Sequence, residues 1–341
     1  MDLTTTYLGL ELRNPLVASA GPLTSTADGI RALAAAGVGA VVLPSVFEEQ
    51  LRRQADTDIR LAMAGTESFA EALSRLPLPA EASEAWPDKY LHLIDEASRT
   101  AGVPVIGSLN GVTPGGWTDY AAAMAGAGAA AIELNVYYLP SGPLRSARYT
   151  EIGYAEMLRR VKDAVSVPVA VKVGPYAGPP GETALVLDRA GADGLVLFNR
   201  FMQTDIDAET LTVSAGFRLS SRGEAALPRT WISLLRGRLR CSLAASTGVE
   251  TAADVAAYLL AGADVVMTTS ALLRHGPGYA AELLDGLRAW MERKGFASVA
   301  EARGLLSAEA GHAIPGRAGY LSAIERATQA YLAGQHRSPV A

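Results

Sequence analysis

Ala190-Gly191-Ala192-Asp193 closes one helical stretch and opens a β-rich one, and Ala261-Gly262-Ala263-Asp264 repeats the unit later in the chain. Ala36-Gly37-Val38-Gly39 and Ala127-Gly128-Ala129-Ala130 hold the same place earlier. Glycine suits a helix C-terminus because the left-handed conformation that stops the helix costs it no Cβ clash. A second unit, Val103-Pro104-Val105 and Val167-Pro168-Val169, opens two further β-rich runs. Such recurrence argues for one repeating architecture and not for two unrelated domains. Working outward from these units, strands are expected at residues 16–19, 40–45, 103–109, 130–135, 167–173, 194–199, 242–246 and 265–269. Helical spacing lies between them, for example at 26–36, 119–127, 154–164, 183–190 and 252–260. Eight strands alternating with helices predict an α/β fold, a closed (β/α)8 TIM barrel, and not an open doubly wound sheet.

Two stretches break the rhythm. Residues 47–87, after strand two, are long and carry Pro77, Pro79 and Pro87; residues 203–224, after strand six, read as a hairpin or lid. Both fall on the C-terminal face, where the loops after strands build active sites. Residues 1–315 are expected to form the barrel and 316–341 a helical tail. Its spacing at Tyr320, Ile324, Ala327 and Tyr331 suits a cap on the barrel or a contact with a partner.

Composition agrees with this. Of 341 residues 49% are hydrophobic but only 6% aromatic, so the core is built from Ala, Val, Leu and Ile, as in a parallel sheet wrapped by Ala-rich helices. The net charge of −5 is mild and no Lys/Arg block stands out, which argues against nucleic acid as a partner. The single cysteine, Cys241, rules out an internal disulfide and suits a reducing cytoplasm. The start lacks a basic segment followed by an apolar one, and the apolar run 121–132 is too short to span a bilayer. A cytoplasmic protein with a small-molecule substrate, no membrane partner and a homo-oligomeric state is expected.

The polar residues that end the strands are Ser19 with Gly21, Ser45, Ser108 with Asn110, Glu133 with Asn135, Lys172, Asn199 with Arg200, Ser246-Thr247-Gly248 and Thr268-Thr269-Ser270. A buried lysine is costly without a negative group nearby, so Lys172, in Pro168-Val169-Ala170-Val171-Lys172-Val173, should face an anion or an electron-rich ring in the mouth. A solvent-side lysine or a structural pair with Glu133 are the other readings. Thr247-Gly248 and Thr269-Ser270 each lead into a helix, where amides and small hydroxyls make a phosphate cradle; ordinary N-capping is the alternative.

Other motifs carry less. Gly126-Ala-Gly128-Ala-Ala-Ala131 precedes a strand and is no dinucleotide fingerprint. No Walker A run exists, and the four histidines and Cys241 offer no metal spacing. Cys241 opens strand seven on the stability face and reads as a packed small hydrophobe. Phe47-Glu48-Glu49-Gln50 reads as a solvated loop, with carboxylates offered to the mouth as the second reading.

At these strand ends the sequence resembles the dihydroorotate dehydrogenase family over roughly residues 7–305. Asn14-Pro15 leading to Ala18-Ser19-Ala20-Gly21, then Glu133-Leu134-Asn135, Val169-Ala170-Val171-Lys172, Ser246-Thr247-Gly248-Val249, Thr269-Ser270-Ala271-Leu272 and Gly295-Phe296 with Ser298-Val299 carry the likeness in order. The resemblance implies an FMN-binding barrel of pyrimidine-metabolism type. It implies that Ser19, Ala20 and Gly21 line the isoalloxazine and that Lys172 sits at its N1/O2 edge. Ser45 and Asn135 would contact the flavin, and Gly223, Thr247, Gly248, Thr269 and Ser270 would hold ribityl or phosphate groups. Asn110, Asn135, Asn199 and Arg200 would face substrate. FMN is expected over FAD, because the phosphate loops end inside the barrel.

The departures concern the substrate. Pro44 stands where the family carries a strand-two lysine, and the family's Asn-Ser-Met-Gly-type loop has no counterpart in 47–87. Tyr138 aligns with the Cys or Ser base, Pro140 with a substrate-binding Asn, and Arg200 with a Ser. A closer resemblance, to bacterial dihydroorotate dehydrogenase-like proteins, rests on Phe47-Glu48-Glu49-Gln50, Gly65-Thr66-Glu67-Ser68-Phe69-Ala70 and Asn135-Val136-Tyr137-Tyr138. The resulting expectation is an FMN oxidoreductase acting on a C–C bond beside a carbonyl, with Tyr138 as proton donor or acceptor and an electron partner still to be named. Genuine dihydroorotate dehydrogenase activity, a non-catalytic flavin-binding barrel, and an aldolase-like barrel with Lys172 as Schiff-base amine are the alternatives.

Overall fold

Runs such as Val169-Ala170-Val171 and Leu195-Val196-Leu197 are apolar throughout because a strand inside a helix-wrapped barrel is buried on both faces. The computed structural model describes residues 1–51, 86–111, 118–136, 147–176, 178–200, 203–216, 218–312 and 317–332. The barrel strands are β1 (Leu16–Ala18), β2 (Ala40–Val42), β3 (Val105–Asn110), β4 (Ala131–Val136), β5 (Val169–Val173), β6 (Gly194–Leu197), β7 (Ser242–Ala245) and β8 (Val265–Thr268). Each pairs in parallel with the next. The ring closes where β8 meets β1, Val266 opposite Leu16 and Thr268 opposite Ala18. Around it lie α1 (Ala27–Ala35), α2 (Trp86–Thr100), α3 (Thr118–Gly126), α4 (Ala147–Ala164), α5 (Pro180–Arg189), α6 (Ala226–Leu235) and α7 (Ala252–Ala261). A short α8 (Ser270–His275) and α9 (Tyr279–Lys294) follow. The four repeated glycines, Gly37, Gly128, Gly191 and Gly262, all have positive φ, between 95° and 120°. The sequence repeat is thus a repeated helix stop.

Alternate strand positions divide between two cores. Leu16, Val41, Leu109, Leu134, Val171 and Leu195 pack outward with Ile30, Leu33, Ile94 and Leu158 of the helices. Val17, Ala40, Val42, Ile106, Ala131, Ala170, Val196, Ala244, Val265 and Met267 form the inner cluster. Many of the inner side chains are small, and an N-terminal hairpin fills the space they leave. Its strands, Thr5–Tyr7 and Leu10–Leu12, are joined by Leu8-Gly9, both left-handed (φ 55° and 74°), as a two-residue hairpin turn requires. Tyr7, Leu8 and Leu12 enter the inner cluster, and the Leu8 N–H donates to Ser242 Oγ at 3.1 Å. A Cβ on Gly194 would lie 2.5 Å from Leu8 Cδ2 and 3.4 Å from Tyr7 Cε2. Gly194 is therefore the gap that this plug occupies.

The aspartates of the two Ala-Gly-Ala-Asp units pin the barrel's lower rim. Asp193 Oδ2 accepts from the Val169 N–H at 2.7 Å and from Lys162 Nζ at 2.6 Å. Asp264 Oδ2 accepts from the Leu243 N–H at 2.7 Å, while its Oδ1 takes Arg236 and Arg303 at 3.0 and 2.9 Å. In each case the carboxylate satisfies an amide at or beside the start of the preceding strand.

Strand ends account for most differences from expectation. The run at 40–45 leaves the β2 ladder after Val42, because Pro44 brings no N–H. Pairing resumes on β3 with Val46 opposite Leu109 and Phe47 opposite Asn110. The solvated loop expected at Phe47-Glu48-Glu49-Gln50 is corrected in part: residues 48–51 turn helical and Glu48 is buried, 3% exposed, because the pairing on β3 carries this turn onto the barrel rim, while Phe47, Glu49 and Gln50 stay exposed. The hairpin after β6 spans Gln203–Asp207 and Thr212–Gly216, and the tail helix α10 runs Arg317–Leu332. Most of the 47–87 excursion lies outside the described residues. Among those described, no helix is long and apolar enough to cross a membrane.

Gly194→Ala should cost about 1–3 kcal/mol in urea unfolding, by overpacking against Leu8. In a Leu8→Ala background the same substitution should cost far less. Simple additivity of the two costs would show that Leu8 does not occupy this space.

Candidate active site

Toward the C-terminal ends of the strands the inward positions change from apolar to polar. On β3 the alternation that begins at Ile106 continues to Ser108 and Asn110; on β4 it runs from Ala131 to Glu133 and Asn135; on β5 it runs from Ala170 to Lys172. The register aligns Ser108 with Glu133, and Asn110 with Asn135 and then Lys172. All are buried: Ser108 is 0% exposed, Glu133 1%, Lys172 7%, Asn110 and Asn135 8%. Period-two alternation thus brings one cation, one carboxylate, two amides and a hydroxyl to the top of the barrel interior.

Lys172 Nζ stands 3.4 Å from Glu133 Oε1, so the ammonium carries the counter-charge that a buried lysine needs. Glu133 Oε2 is buried without a hydrogen-bond partner among the described residues, as is the Tyr7 hydroxyl of the plug. Burial, then the nearby Glu133 charge, raises the Tyr7 pKa well above that of a free phenol, so Tyr7 is a neutral phenol. A polar chain crosses the mouth beside the ion pair. Ser45 Oγ and Ser108 Oγ are 2.7 Å apart, Asn135 Nδ2 reaches Ser45 Oγ at 3.5 Å, and Asn199 Nδ2 donates to Asn135 Oδ1 at 3.0 Å.

The other half of the mouth is built from backbone. Thr269 Oγ1 donates to the carbonyls of Ser19 (2.8 Å) and Ala20 (3.3 Å), clipping the end of β1 to the end of β8. A Cβ at Gly21 would fall 2.5 Å from Thr269 Cγ2, so the loop after β1 passes too close for any side chain. Thr247 and Gly248 are both left-handed, φ 82° and 73°. A Cβ on Gly248 would lie 2.6 Å from the Ala225 nitrogen, so this turn packs on the turn Arg222–Ala225. Tyr258 secures the contact from α7: its hydroxyl donates to Thr247 O at 2.7 Å, with Ser246 O and Ala225 O at 3.3 and 3.5 Å. Gly223, in that turn, is exposed; an added Cβ would meet only Ser221 Oγ, at 4.0 Å. Ser270 Oγ accepts from the Ser220 N–H at 3.0 Å and brings the start of α8 to the same turn.

The fold therefore gathers Ser19, Ala20, Gly21, Gly223, Thr247, Gly248, Thr269 and Ser270 on one side of the mouth and Ser45, Asn110, Asn135, Lys172 and Asn199 on the other. The Thr269 hydroxyl donates to protein carbonyls, whereas Ser270 Oγ accepts and keeps its own proton, so these loops offer backbone amides and the Ser270 hydroxyl as donors. Arg200 is engaged as well: Nε and Nη2 lie 2.9 and 3.4 Å from Glu224 Oε2 and Oε1, and Nη1 donates to Arg218 O. Tyr138 and Pro140 lie outside the described residues. Sequence reading missed Tyr258, an aromatic in an Ala-rich helix whose role rests on where its hydroxyl ends up. It assigned Ser108 no role, although its parity with Ile106 marks it as inward, and it offered the pairing of Glu133 with Lys172 only as a second reading.

The described residues contain no group of His, Cys, Asp and Glu able to hold a metal. Cys241 precedes β7, with its amide donating to Asp188 Oδ1 at 3.0 Å. Burial, reinforced by the Asp188 charge, pushes its thiol pKa up to about 12. Alkylation by iodoacetamide at pH 7.5 should therefore be negligible in the folded protein and complete after unfolding. Fast labelling of native protein would contradict this.

Lys172→Met leaves Glu133 buried without its cation, and breaking such a pair costs about 3–5 kcal/mol. Urea unfolding at neutral pH reads the deficit; a Lys172→Met variant as stable as the unaltered protein would show that Glu133 does not depend on this cation.

The sequence of this chain matches known proteins. The dihydroorotate dehydrogenase family model matches residues 2–291. The catalytic subunit of dihydroorotate dehydrogenase B (NAD(+)) of Methanothermobacter thermautotrophicus is 30% identical, over 89% of this chain and 98% of its own. The corresponding subunit of Pyrococcus abyssi is 26% identical over the same shares. A putative dihydroorotate dehydrogenase A (fumarate) of Aeropyrum pernix is 28% identical over 61% of this chain and 69% of its own. Matched along most of its length, and with its strand ends disposed as a barrel mouth of this kind requires, the chain belongs to the dihydroorotate dehydrogenase family, flavoprotein oxidoreductases that act on CH–CH groups.

Proposed function

We propose that this chain is an FMN-dependent oxidoreductase acting on a C–C bond beside a carbonyl, with a substrate other than dihydroorotate. The buried ammonium of Lys172, in a row with Asn110 and Asn135 at the mouth, carries the reading. The residues suit the cofactor: Lys172 offers a buried ammonium beside Asn135, and Gly223 leaves its backbone open. When bound, FMN supplies hydride exchange at its N5.

Lys172 would bring positive charge to the N1/O2 edge, where it would favour the reduced cofactor. Ser19, Ala20 and Gly21 would line the ring, with Ser45 and Asn135 beside it. Amides of Gly223, Thr247, Gly248, Thr269 and Ser270 would hold ribityl and phosphate groups, as first-turn and nest amides do for anions. Asn110, Asn135 and Asn199 orient the substrate carbonyl through neutral amides. Tyr138 moves the proton. A phenol is a poor base at neutral pH, so this residue suits protonation during reduction of an activated alkene better than abstraction during dehydrogenation.

The departure from dihydroorotate rests on Pro44, Tyr138 and Pro140, which replace a cation, a base and an amide of the family site. Sites built on such bonds lose heavily when the partners vanish. Acid release and mass measurement of the bound cofactor should return FMN; FAD, or no flavin from carefully handled protein, overturns the cofactor assignment. Anaerobic mixing with dihydroorotate should bleach the flavin slowly or not at all. Rapid saturable bleaching would make the chain a genuine dihydroorotate dehydrogenase.

A further inference from the structure

Arg200 is the strand-end residue that looks most like a carboxylate receptor, and its own geometry argues against that role. The guanidinium fork already holds a carboxylate side-on, Nε to Glu224 Oε2 at 2.9 Å and Nη2 to Oε1 at 3.4 Å. A planar fork that is bidentate to one carboxylate has its best face occupied. Glu224 is not easily displaced. It closes a capping box in which Oε1 accepts from the Ser221 N–H at 2.7 Å and from Ser221 Oγ at 3.2 Å. Burial works against its charge, but the Ser221 and Arg200 hydrogen bonds outweigh it and hold its pKa below the usual carboxylate value.

The same pattern covers the rest of the described mouth. Lys172 is paired with Glu133, Arg218 with Asp205, Arg222 with Asp254, and Arg274 with Glu250. Along β2 the inward alternation of Ala40 and Val42 next reaches Pro44, which brings neither charge nor N–H. Beyond Lys172, whose charge the proposed function commits to the cofactor and Glu133, the described mouth offers neutral side chains: the amides of Asn110, Asn135 and Asn199 and the hydroxyls of Ser45 and Ser108. A desolvated anion among these groups has no cation of its own, and that arrangement is costly.

We infer that the substrate is uncharged at the position the Arg200–Glu224 pair guards: a neutral carbonyl, lactam or carboxamide and not a carboxylate. This rests on the proposed oxidoreductase function and specifies its substrate class. Arg200 is then a positioning residue that ties the end of β6 to the turn carrying Gly223.

Matched acid–amide pairs test it on the flavin-loaded protein, with orotate against orotamide and crotonate against crotonamide. The readouts are perturbation of the oxidised flavin spectrum on binding and reoxidation of the anaerobically reduced flavin. The amide of at least one pair should bind at least tenfold more tightly than its acid. Glu224→Gln, which keeps the capping box but frees the Arg200 charge, should narrow or reverse that ratio. Tighter binding of the acids by the unaltered protein overturns the inference while leaving the oxidoreductase reading in place. So does a lack of response to either amide by a protein whose flavin remains reducible. If Glu224→Gln does not hold flavin, Arg200→Gln takes its place: the amide preference should persist, and acid binding that exists in the unaltered protein and vanishes in this variant shows that Arg200 reads a carboxylate. A protein that binds no reducible flavin overturns both readings together.

Discussion

The pairing of β8 with β1, the last barrel strand with the first, is what gives every other residue its address. Once the ring is closed, strand alternation has only one meaning: one parity faces the helices and the other faces a space about as wide as its own side chains. The outer parity is uniformly apolar. The inner parity is apolar at the bottom and polar at the top, and the change falls within single strands, between Ile106 and Ser108 and between Ala131 and Glu133. Structure and chemistry thus share one column, separated by about one repeat of the pleat.

The bottom of that column explains the N-terminal hairpin. Inner positions on β2, β4, β5, β6 and β7 include Ala40, Ala131, Ala170, Gly194 and Ala244, too small to fill the ring. Tyr7 and Leu8 supply the missing volume, and the left-handed backbone at Leu8 is the local cost of delivering it. The plug also brings a phenol hydroxyl into the barrel that carries Glu133, where it raises no new charge.

Electrostatics at the top follow one pattern: Lys172, Arg200, Arg222 and Arg274 each carry a carboxylate partner, while Arg229 donates to Ala225 O and lies over Tyr258. Lys172 keeps Glu133 close at 3.4 Å, enough to hold the ammonium in a buried place while leaving the second carboxylate oxygen unsatisfied. Arg200, by contrast, is held on two edges and stitched through Glu224 to the turn at Gly223. The two cations look alike in sequence, each ending a strand, but one faces the barrel axis and the other braces a loop.

Alternation, the Ala-Gly stops and the apolar runs are properties of neighbouring residues, so the sequence alone determined eight strands, their order and the closed barrel, and the motifs at its strand ends carried the family resemblance. Even the inward parity of Lys172 and Asn135 was legible, because period two needs only a local count. What it left open depends on atoms far apart in the chain. Whether Lys172 faces Glu133 depends on the β4–β5 register; that Glu48 is buried depends on the return of Val46 and Phe47 to β3. Tyr258 clamps three carbonyls from two loops, and Arg200 meets a carboxylate 24 residues away. A charged or hydroxylic side chain has many possible partners in sequence and one in space, and only the closed ring, by fixing which strand ends are neighbours, selects it.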